Sequence, residues 1–514
     1  MDKMNIKNKI FVMLIVLILS SFTTEKKVIT VFMVGDSTMS NKPLIGGNQE
    51  RGWGHMLGGF FTEEVYVENH ARNGRSSKSF ISEGHWDEVL KRLSPGDYVI
   101  IQFGHNDEKA DRARHTEPGT TFDENLRRFV RDTRARGATP ILLNAIVRRN
   151  FVSQMDSSFV RDVRKIPDNK ESVVEGNILF DTHGAYLESP RNVAHEMKVP
   201  FVDANRITHD LISSMGPEKS KELYMWIEPN TIVACPQGRQ DNTHLSVYGA
   251  RIIAKLLIDA IAREVPALGK YVRYYDFVVA KDGSGDFFTL QEAINSVPDF
   301  RLDKRTNILI RPGIYDEKLI VPTSKVNVSL LGQSDVVISH SNHTERNDCW
   351  NVREINWGTA ICYVFAPGFC VENVTFHNDS QSDISAITCF IAGDNVKFED
   401  CFFKGKKNVL YCIGSGIKYF KRCKIEGIPS FIHGGKKTVL NECVIIDKEN
   451  TPESAEMKNM LKKISKISYR CTLQRNTKNE KIDSQLRKSD VIKYDEFDFM
   501  WNPIDMEKGF DVSN

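Results

Sequence analysis

The chain has 514 residues, 41% of them hydrophobic and 26% charged, which is enough for two or three domains and excludes a single small module. Its 69 Lys and Arg against 67 Asp and Glu leave a net charge of +2, so there is no electrostatic ground for nucleic-acid or membrane-surface binding. With 33 Gly, 18 Pro and neither a low-complexity tract nor a heptad array, disordered, collagenous and coiled-coil classes are excluded too.

The chain opens with Lys3, Lys7 and Lys9, then a purely apolar run from Ile10 to Leu19, then the small polar Ser20, Ser21 and Thr23. Basic flank, short apolar run and small residues are the parts of a secretory signal peptide, here expected over residues 1–24. The run is too short to span a hydrocarbon core of ~30 Å comfortably. The expectation is an exported protein, periplasmic or extracellular, with no membrane attachment after removal of the signal.

From Val28 to about Ala267 the pattern alternates. Apolar, β-branched runs at Val28–Val34, Val65–Glu68, Tyr98–Phe103, Ile141–Val147 and Pro200–Asp203 predict strands. Helical periodicity at Trp86–Leu93, Phe122–Arg136 and Ser246–Ala262 predicts helices between or after them. Near-continuous apolar strands alternating with helices predict a parallel sheet covered on both faces. Ligands of such sheets bind beyond the carboxyl ends of the strands.

Gly35-Asp36-Ser37-Thr38 follows the first run, Asn73-Gly74-Arg75-Ser76 the second, and Gly104-His105-Asn106-Asp107 the third. Asp241-Asn242-Thr243-His244 stands just before the last helix. Each piece alone is ordinary: Gly-Asp-Ser ends many strands, Asp-x-x-His also caps helices, and His105 reads as a structural, hydrogen-bonded histidine. Together, each at a strand end or near the last helix, they supply what ester hydrolysis needs. Ser37 can attack a carbonyl once His244 takes its proton, and Asp241 can orient and stabilise the imidazolium. The Ser37 and Gly74 N–H groups and the Asn106 amide can face the oxyanion.

These four blocks resemble those of the SGNH (GDSL-like) hydrolases, and the fuller strings GDSTM, NGRSSKSF, QFGHND and DNTHLSVYGA resemble rhamnogalacturonan acetylesterases. The resemblance covers residues 28–267. It implies a flavodoxin-like three-layer α/β fold and removal of acetyl groups from pectic polysaccharide without a metal or other cofactor. The family roles fall on Ser37 as nucleophile, Asp241 and His244 as the remaining triad, and Ser37, Gly74 and Asn106 as oxyanion donors.

From about Asp276 short strands recur. Asn373, Asp400, Arg422 and Glu442 mark equivalent positions at steps of 27, 22 and 20 residues, a solenoid period that predicts a parallel β-helix. Nine of the ten cysteines lie between Cys349 and Cys471 without zinc spacing, and Cys401, Cys423 and Cys443 share one repeat position, so a buried column of thiols is expected. Leu290–Val297 is expected to form the helical cap. DGSGDFFTLQEAINSVPD and the Gly-x-Tyr-x-Glu of Gly313, Tyr315 and Glu317 resemble pectin methylesterases over about 277–446, implying a right-handed β-helix.

That family uses two Asp, flanking Gln side chains and an Arg. Here Lys407 and Asn408 stand for the Gln and first Asp, and Ser430 for the second Asp. The Gln-Ala-Val segment around Ile384 is unmatched, and no Gly-Arg-Pro-Trp segment is found. An amide cannot act as general acid or carboxylate nucleophile, so residues 276–446 are expected to be a catalytically inactive scaffold, with 447–514 a Lys-rich extension of no evident structure. The expected whole is a secreted serine carbohydrate esterase acting on pectic polysaccharide. The alternatives are an enzyme removing both acetyl and methyl esters, against which Asn408 and Ser430 speak, and a non-catalytic pectin-binding protein, against which Ser37, Asp241 and His244 speak.

Overall fold

A computed structural model describes residues 28–153, 176–233, 235–340, 351–352, 355–356, 359–379, 387–406, 408–427, 432–433, 437–447, 455–475 and 478–500; the expected signal peptide lies outside them. The chain divides into two compact units, residues 1–273 and 274–514.

The first unit is built on a five-stranded parallel sheet. In spatial order its strands are Val65–Asn69, Ile29–Gly35, Tyr98–Gln102, Thr139–Leu143 and Phe201–Val202. Numbered along the chain this is 2-1-3-4-5, the flavodoxin-like arrangement. Successive side chains of a strand point to opposite faces. Val31, Met33, Ile100 and Ile141 therefore pack with Ile253, Leu257 and Ile261 of the helix Val247–Glu264, while Phe32, Val34, Val99 and Ile101 pack with Phe80, Trp86 and Phe129 on the other face. Three layers result.

The fourth strand stops at Leu143, short of the expected Val147, because only residues 139–143 pair with Tyr98–Gln102. Beyond it Val147 stays buried in a loop and its N–H donates to Thr208 Oγ1 at 3.0 Å. A second, antiparallel sheet of Glu50–Arg51, Arg239–Ser246 and Tyr224–Ile227 was not evident from periodicity.

The second unit is a solenoid whose strands stack into three sheets of five to eight strands, parallel throughout except for the last strand, Lys478–Lys481, which pairs antiparallel with Thr472–Arg475. Asn373, Asp400, Arg422 and Glu442, the positions that mark the sequence repeat, are left-handed corners with φ of 57°, 53°, 51° and 55°, and Arg470 repeats them at 52°. Inside, Phe376 stacks on Phe403 and Phe398 on Phe420, with centroids 5.4 and 5.2 Å apart. Cys401, Cys423 and Cys443 are buried in column with Cys471, and the nine described cysteines are free thiols.

The ladders run past the expected end at Ile446, through Ser468–Tyr469 and Thr472–Arg475. The helix Ala455–Ile467, which directly precedes them, turns Met460 and Ile464 into the core. At the other end the helix Leu290–Ser296 buries Leu290, Ala293 and Ile294. Its first-turn Leu290 and Gln291 N–H groups each donate to Glu317 at 3.0 Å, which gives the Glu of Gly-x-Tyr-x-Glu a capping role.

Candidate active site

Ser37 stands on a turn immediately after the first strand. Gly35 is required there because an added Cβ would lie 2.7 Å from the Gln102 carbonyl oxygen. Asp36, fully buried, shapes the turn by accepting from the Thr38 N–H at 2.9 Å and the Thr38 hydroxyl at 2.8 Å. The turn after the second strand carries Gly74 at φ +73°, a conformation that favours glycine. The turn after the third carries Asn106, whose amide donates to the Arg75 carbonyl at 3.2 Å and so fastens it beside Gly74. First and third strands flank the point where strand order reverses, the usual ligand crevice of such sheets.

The remaining pair comes from the antiparallel sheet. Gln240 pairs with Trp226 and Leu245 with Tyr224, so residues 241–244 bulge from the ladder. Asn242 pins the bulge by accepting from Arg149 at 2.9 Å and Trp226 at 3.0 Å. Asp241 Oδ1 accepts the Thr243 and His244 N–H groups at 2.8 and 2.9 Å. Its Oδ2 lies 2.8 Å from His244 Nδ1, and His244 Nε2 lies 3.0 Å from Ser37 Oγ. With Nδ1–H donating to Asp241, Nε2 is left to accept from the Ser37 hydroxyl. The structure thus brings Ser37, Asp241 and His244 into one hydrogen-bonded line and links Asn106 to the Gly74 turn. Such a line can pass the serine proton to the imidazole.

Burial alone would raise the Asp241 carboxyl, but the bonds from His244 and the charge of Arg239 outweigh it and hold the carboxyl well below its usual range. Arg239 bonds Asp241 Oδ2 and, through its other arm, Glu50 at 2.6 Å. Lys42 pairs with Glu50 at 2.9 Å and donates to Asn73 Oδ1 at 2.6 Å. Sequence reasoning missed Lys42, Glu50 and Arg239. The bulge that aims Arg239 and the 189 residues separating it from Glu50 leave no local signal. His105 sits in a separate buried group, its Nδ1 2.9 Å from His183 Nε2. Burial holds its imidazole well below the ordinary value.

In the solenoid, Asn408 Oδ1 lies 2.6 Å from His433 Nε2, whose ring tilts over Tyr411 with centroids 5.0 Å apart. Lys407, Ser430 and the segment around Ile384 lie outside the described residues. Among the described residues no group of three His, Cys, Asp or Glu could hold a metal ion, and no helix is long and apolar enough to cross a membrane.

Comparison with known proteins agrees with this two-part organisation. Residues 33–252 match the GDSL-like Lipase/Acylhydrolase family and residues 276–468 match Pectinesterase. Rhamnogalacturonan acetylesterase RhgT of Bacillus subtilis is 35% identical over 258 residues, which are 50% of this chain and 97% of that protein. Pectinesterase QRT1 of Arabidopsis thaliana is 34% identical over 177 residues, 33% of this chain and 46% of that protein, so the chain spans about half of that relative's length. A solved pectin methylesterase from carrot is 28% identical, with 34% of this chain and 53% of that one covered at a TM-score of 0.31. Through residues 33–252 the chain belongs to the GDSL-like lipase/acylhydrolase family, as a carboxylic ester hydrolase resembling rhamnogalacturonan acetylesterase, and a pectinesterase domain follows over residues 276–468.

Proposed function

We propose that the first unit is a serine carbohydrate esterase that removes acetyl groups from the pectic polysaccharide rhamnogalacturonan. The observation that carries this is the line Ser37–His244–Asp241, with contacts of 3.0 and 2.8 Å. Ser37 attacks the acetyl carbonyl as its proton moves to His244 Nε2, and Asp241 stabilises the imidazolium. The Ser37 and Gly74 N–H groups and the Asn106 amide meet the oxyanion. His244 then gives its proton to the departing sugar oxygen, which leaves as the free hydroxyl, and water deprotonated by His244 releases acetate as the proton returns to Ser37 Oγ. The substrate class rests on the resemblance to RhgT.

In the same reading the chain is exported, on the strength of Lys3, Lys7, Lys9 and the Ile10–Leu19 run. The solenoid is a methylesterase scaffold without hydrolytic activity, because Asn408 and Ser430 replace the paired carboxylates. Incubating the full chain with acetylated, methyl-esterified pectic fractions tests both halves of the assignment. Acetate release without methanol is expected. Methanol release, or no acetate from any fraction, overturns it.

A further inference from the structure

The catalytic line continues beyond Asp241 as a run of alternating charge. Arg239 places Nη2 on Asp241 Oδ2, the same oxygen that faces His244 Nδ1, and that guanidinium nitrogen is 3.3 Å from the imidazole nitrogen. Its Nη1 donates to Glu50 Oε2 at 2.6 Å. Glu50 Oε1 meets Lys42 at 2.9 Å, and the two side chains are only 14% and 2% exposed. Lys42 and Ser40 each donate to Asn73 Oδ1 at 2.6 Å. Asn73 precedes Gly74, and Ser40 belongs to the Ser37 turn, where its N–H donates to the Asp36 carbonyl at 3.0 Å. The path closes into a ring through the nucleophile turn, the oxyanion turn, the Glu50–Arg51 strand and the catalytic bulge.

We propose that Arg239 is a positioning residue: with Glu50 and Lys42 it locks Asp241 and His244 to the Asn73–Gly74 turn, so that the general base and the oxyanion donors hold one geometry. This rests on the reading of Ser37, Asp241 and His244 as the triad. Two cations and two anions alternate along the run, so its formal charge cancels. Removing one member leaves a poorly hydrated partner uncompensated, and that partner relaxes towards whatever group can answer it. For Asp241 such relaxation draws the carboxylate off the His244 axis, where a shift of about 1 Å is costly in rate.

The charge order also sets the cost of making the imidazolium. His244 is met by Asp241 and Arg239 from its own strand and by Ser37 from the nucleophile turn, while Glu50 on the paired strand and His105 in its separate buried group interact with it through charge, Lys42 lying beyond Glu50 and Arg148 and Lys109 beside His105. Removing the Arg239 cation leaves two anions near the ring and favours its protonation. Removing the Glu50 anion does the reverse.

The full chain is assayed with 4-nitrophenyl acetate across pH. Arg239→Met is expected to lower kcat about 10- to 100-fold with KM within about twofold. The acid limb of its kcat profile should move up by about one pH unit, and that of Glu50→Gln down by a similar amount. Arg239→Lys should restore the limb and part of kcat, since it returns the charge but not the fork. An unchanged kcat in Arg239→Met, or a loss of activity with the acid limb in place, overturns the proposal. If Arg239→Met does not fold, an unmoved limb in Glu50→Gln overturns it instead. Ser37→Ala, run in parallel, separates the two ideas: activity surviving there refutes the triad itself, whereas an inactive Ser37→Ala beside a fully active Arg239→Met refutes only the role of Arg239.

Discussion

His244 Nε2 stands 3.0 Å from Ser37 Oγ across 207 residues of sequence. Two local features produce that contact. The first strand must run close enough to its neighbour that only glycine fits at Gly35, which lets the chain turn at Asp36 and present Ser37 at the sheet's edge. The antiparallel ladder must break between Gln240 and Leu245, which frees Asp241 and His244 to face that edge. Neither feature adds to the core. Both go to aiming side chains, the usual use of tight turns and bulges beside active sites.

Ser37→Ala should abolish hydrolysis of 4-nitrophenyl acetate and of acetylated rhamnogalacturonan while leaving the circular dichroism spectrum and melting midpoint unchanged. The side chain is only partly buried, and the change removes a single hydroxyl oxygen. Loss of a triad nucleophile costs several orders of magnitude in rate. Turnover within about tenfold of the parent would remove Ser37 from the mechanism.

Asp241→Asn should cost kcat about 10⁴-fold, the scale found when a triad Asp is neutralised. The new amide can donate to His244 Nδ1, which places the ring hydrogen on Nε2 and leaves the Ser37 hydroxyl with no acceptor. Arg239 loses an anionic partner in the same step. In the parent, Asp241 is held ionised far into acid, so its protonation does not set the fall of kcat on mild acidification. A kcat profile flat between about pH 5 and 8 would be incompatible with a histidine base.

The parts of this site that were legible in the sequence are those where the chemistry follows an element that periodicity reveals. Ser37, Gly74 and Asn106 each come directly after an apolar strand, so the strand predictions located them. The solenoid was legible for a similar reason, because Asn373, Asp400, Arg422 and Glu442 occupy the left-handed corner of four successive turns. Asp241 and His244 were legible from their place just before the last helix, but the bulge that carries them has no period, and its strand partners Glu50–Arg51 and Tyr224–Ile227 are too short to show one. Lys42, Glu50 and Arg239 are ordinary surface residue types whose burial comes only from tertiary pairing. The Lys-rich stretch after Asp447 gave no evident structure because its charges are many, while the two side chains that matter there, Met460 and Ile464, sit on the inner face of a helix.

Asp107 gives the first unit a stability that depends on pH. Complete burial pushes its carboxyl up to about 7, against the lowering bonds from Ser77 and Thr116. Below about pH 4 folded and unfolded chains both hold the proton. Between about 4 and 7 the unfolded chain releases it while the folded chain retains it, so stability falls as pH rises through that window and levels off above it. Asp107→Asn keeps an acceptor for Ser77 Oγ at 2.5 Å and Thr116 Oγ1 at 3.0 Å but does not ionise. Urea midpoints followed by hydrogen exchange of the Tyr98–Gln102 strand should therefore fall less, or rise more, with pH in Asp107→Asn than in the parent between about 4 and 7. Equal slopes in parent and variant would show that Asp107 is ionised in the folded unit.

On the proposed reading, the full chain carrying Ser37→Ala should release no methanol from methyl-esterified pectin, because Asn408 and Ser430 stand where the resemblance places the two carboxylates. Asn408 occupies the first of the two positions, at a left-handed corner with φ 54°, where its side-chain oxygen is engaged by His433 at 2.6 Å. An amide so held neither takes a proton from water nor attacks an ester. Two acidic residues earlier in the same repeat are bonded to Arg422. Asp400, at the next corner, is bonded by Arg422 at 2.9 and 2.7 Å, and Glu399 is bonded by the same guanidinium at 2.6 Å. His433 could serve as a base, but no acidic nucleophile accompanies it in the matched segments, where Ser430 stands for the second Asp. Methanol is measured for this chain beside the same chain carrying Asn408→Asp and Ser430→Asp. Substantial release without the added carboxylates would mean that His433 and its neighbours form a working esterase site of a different kind.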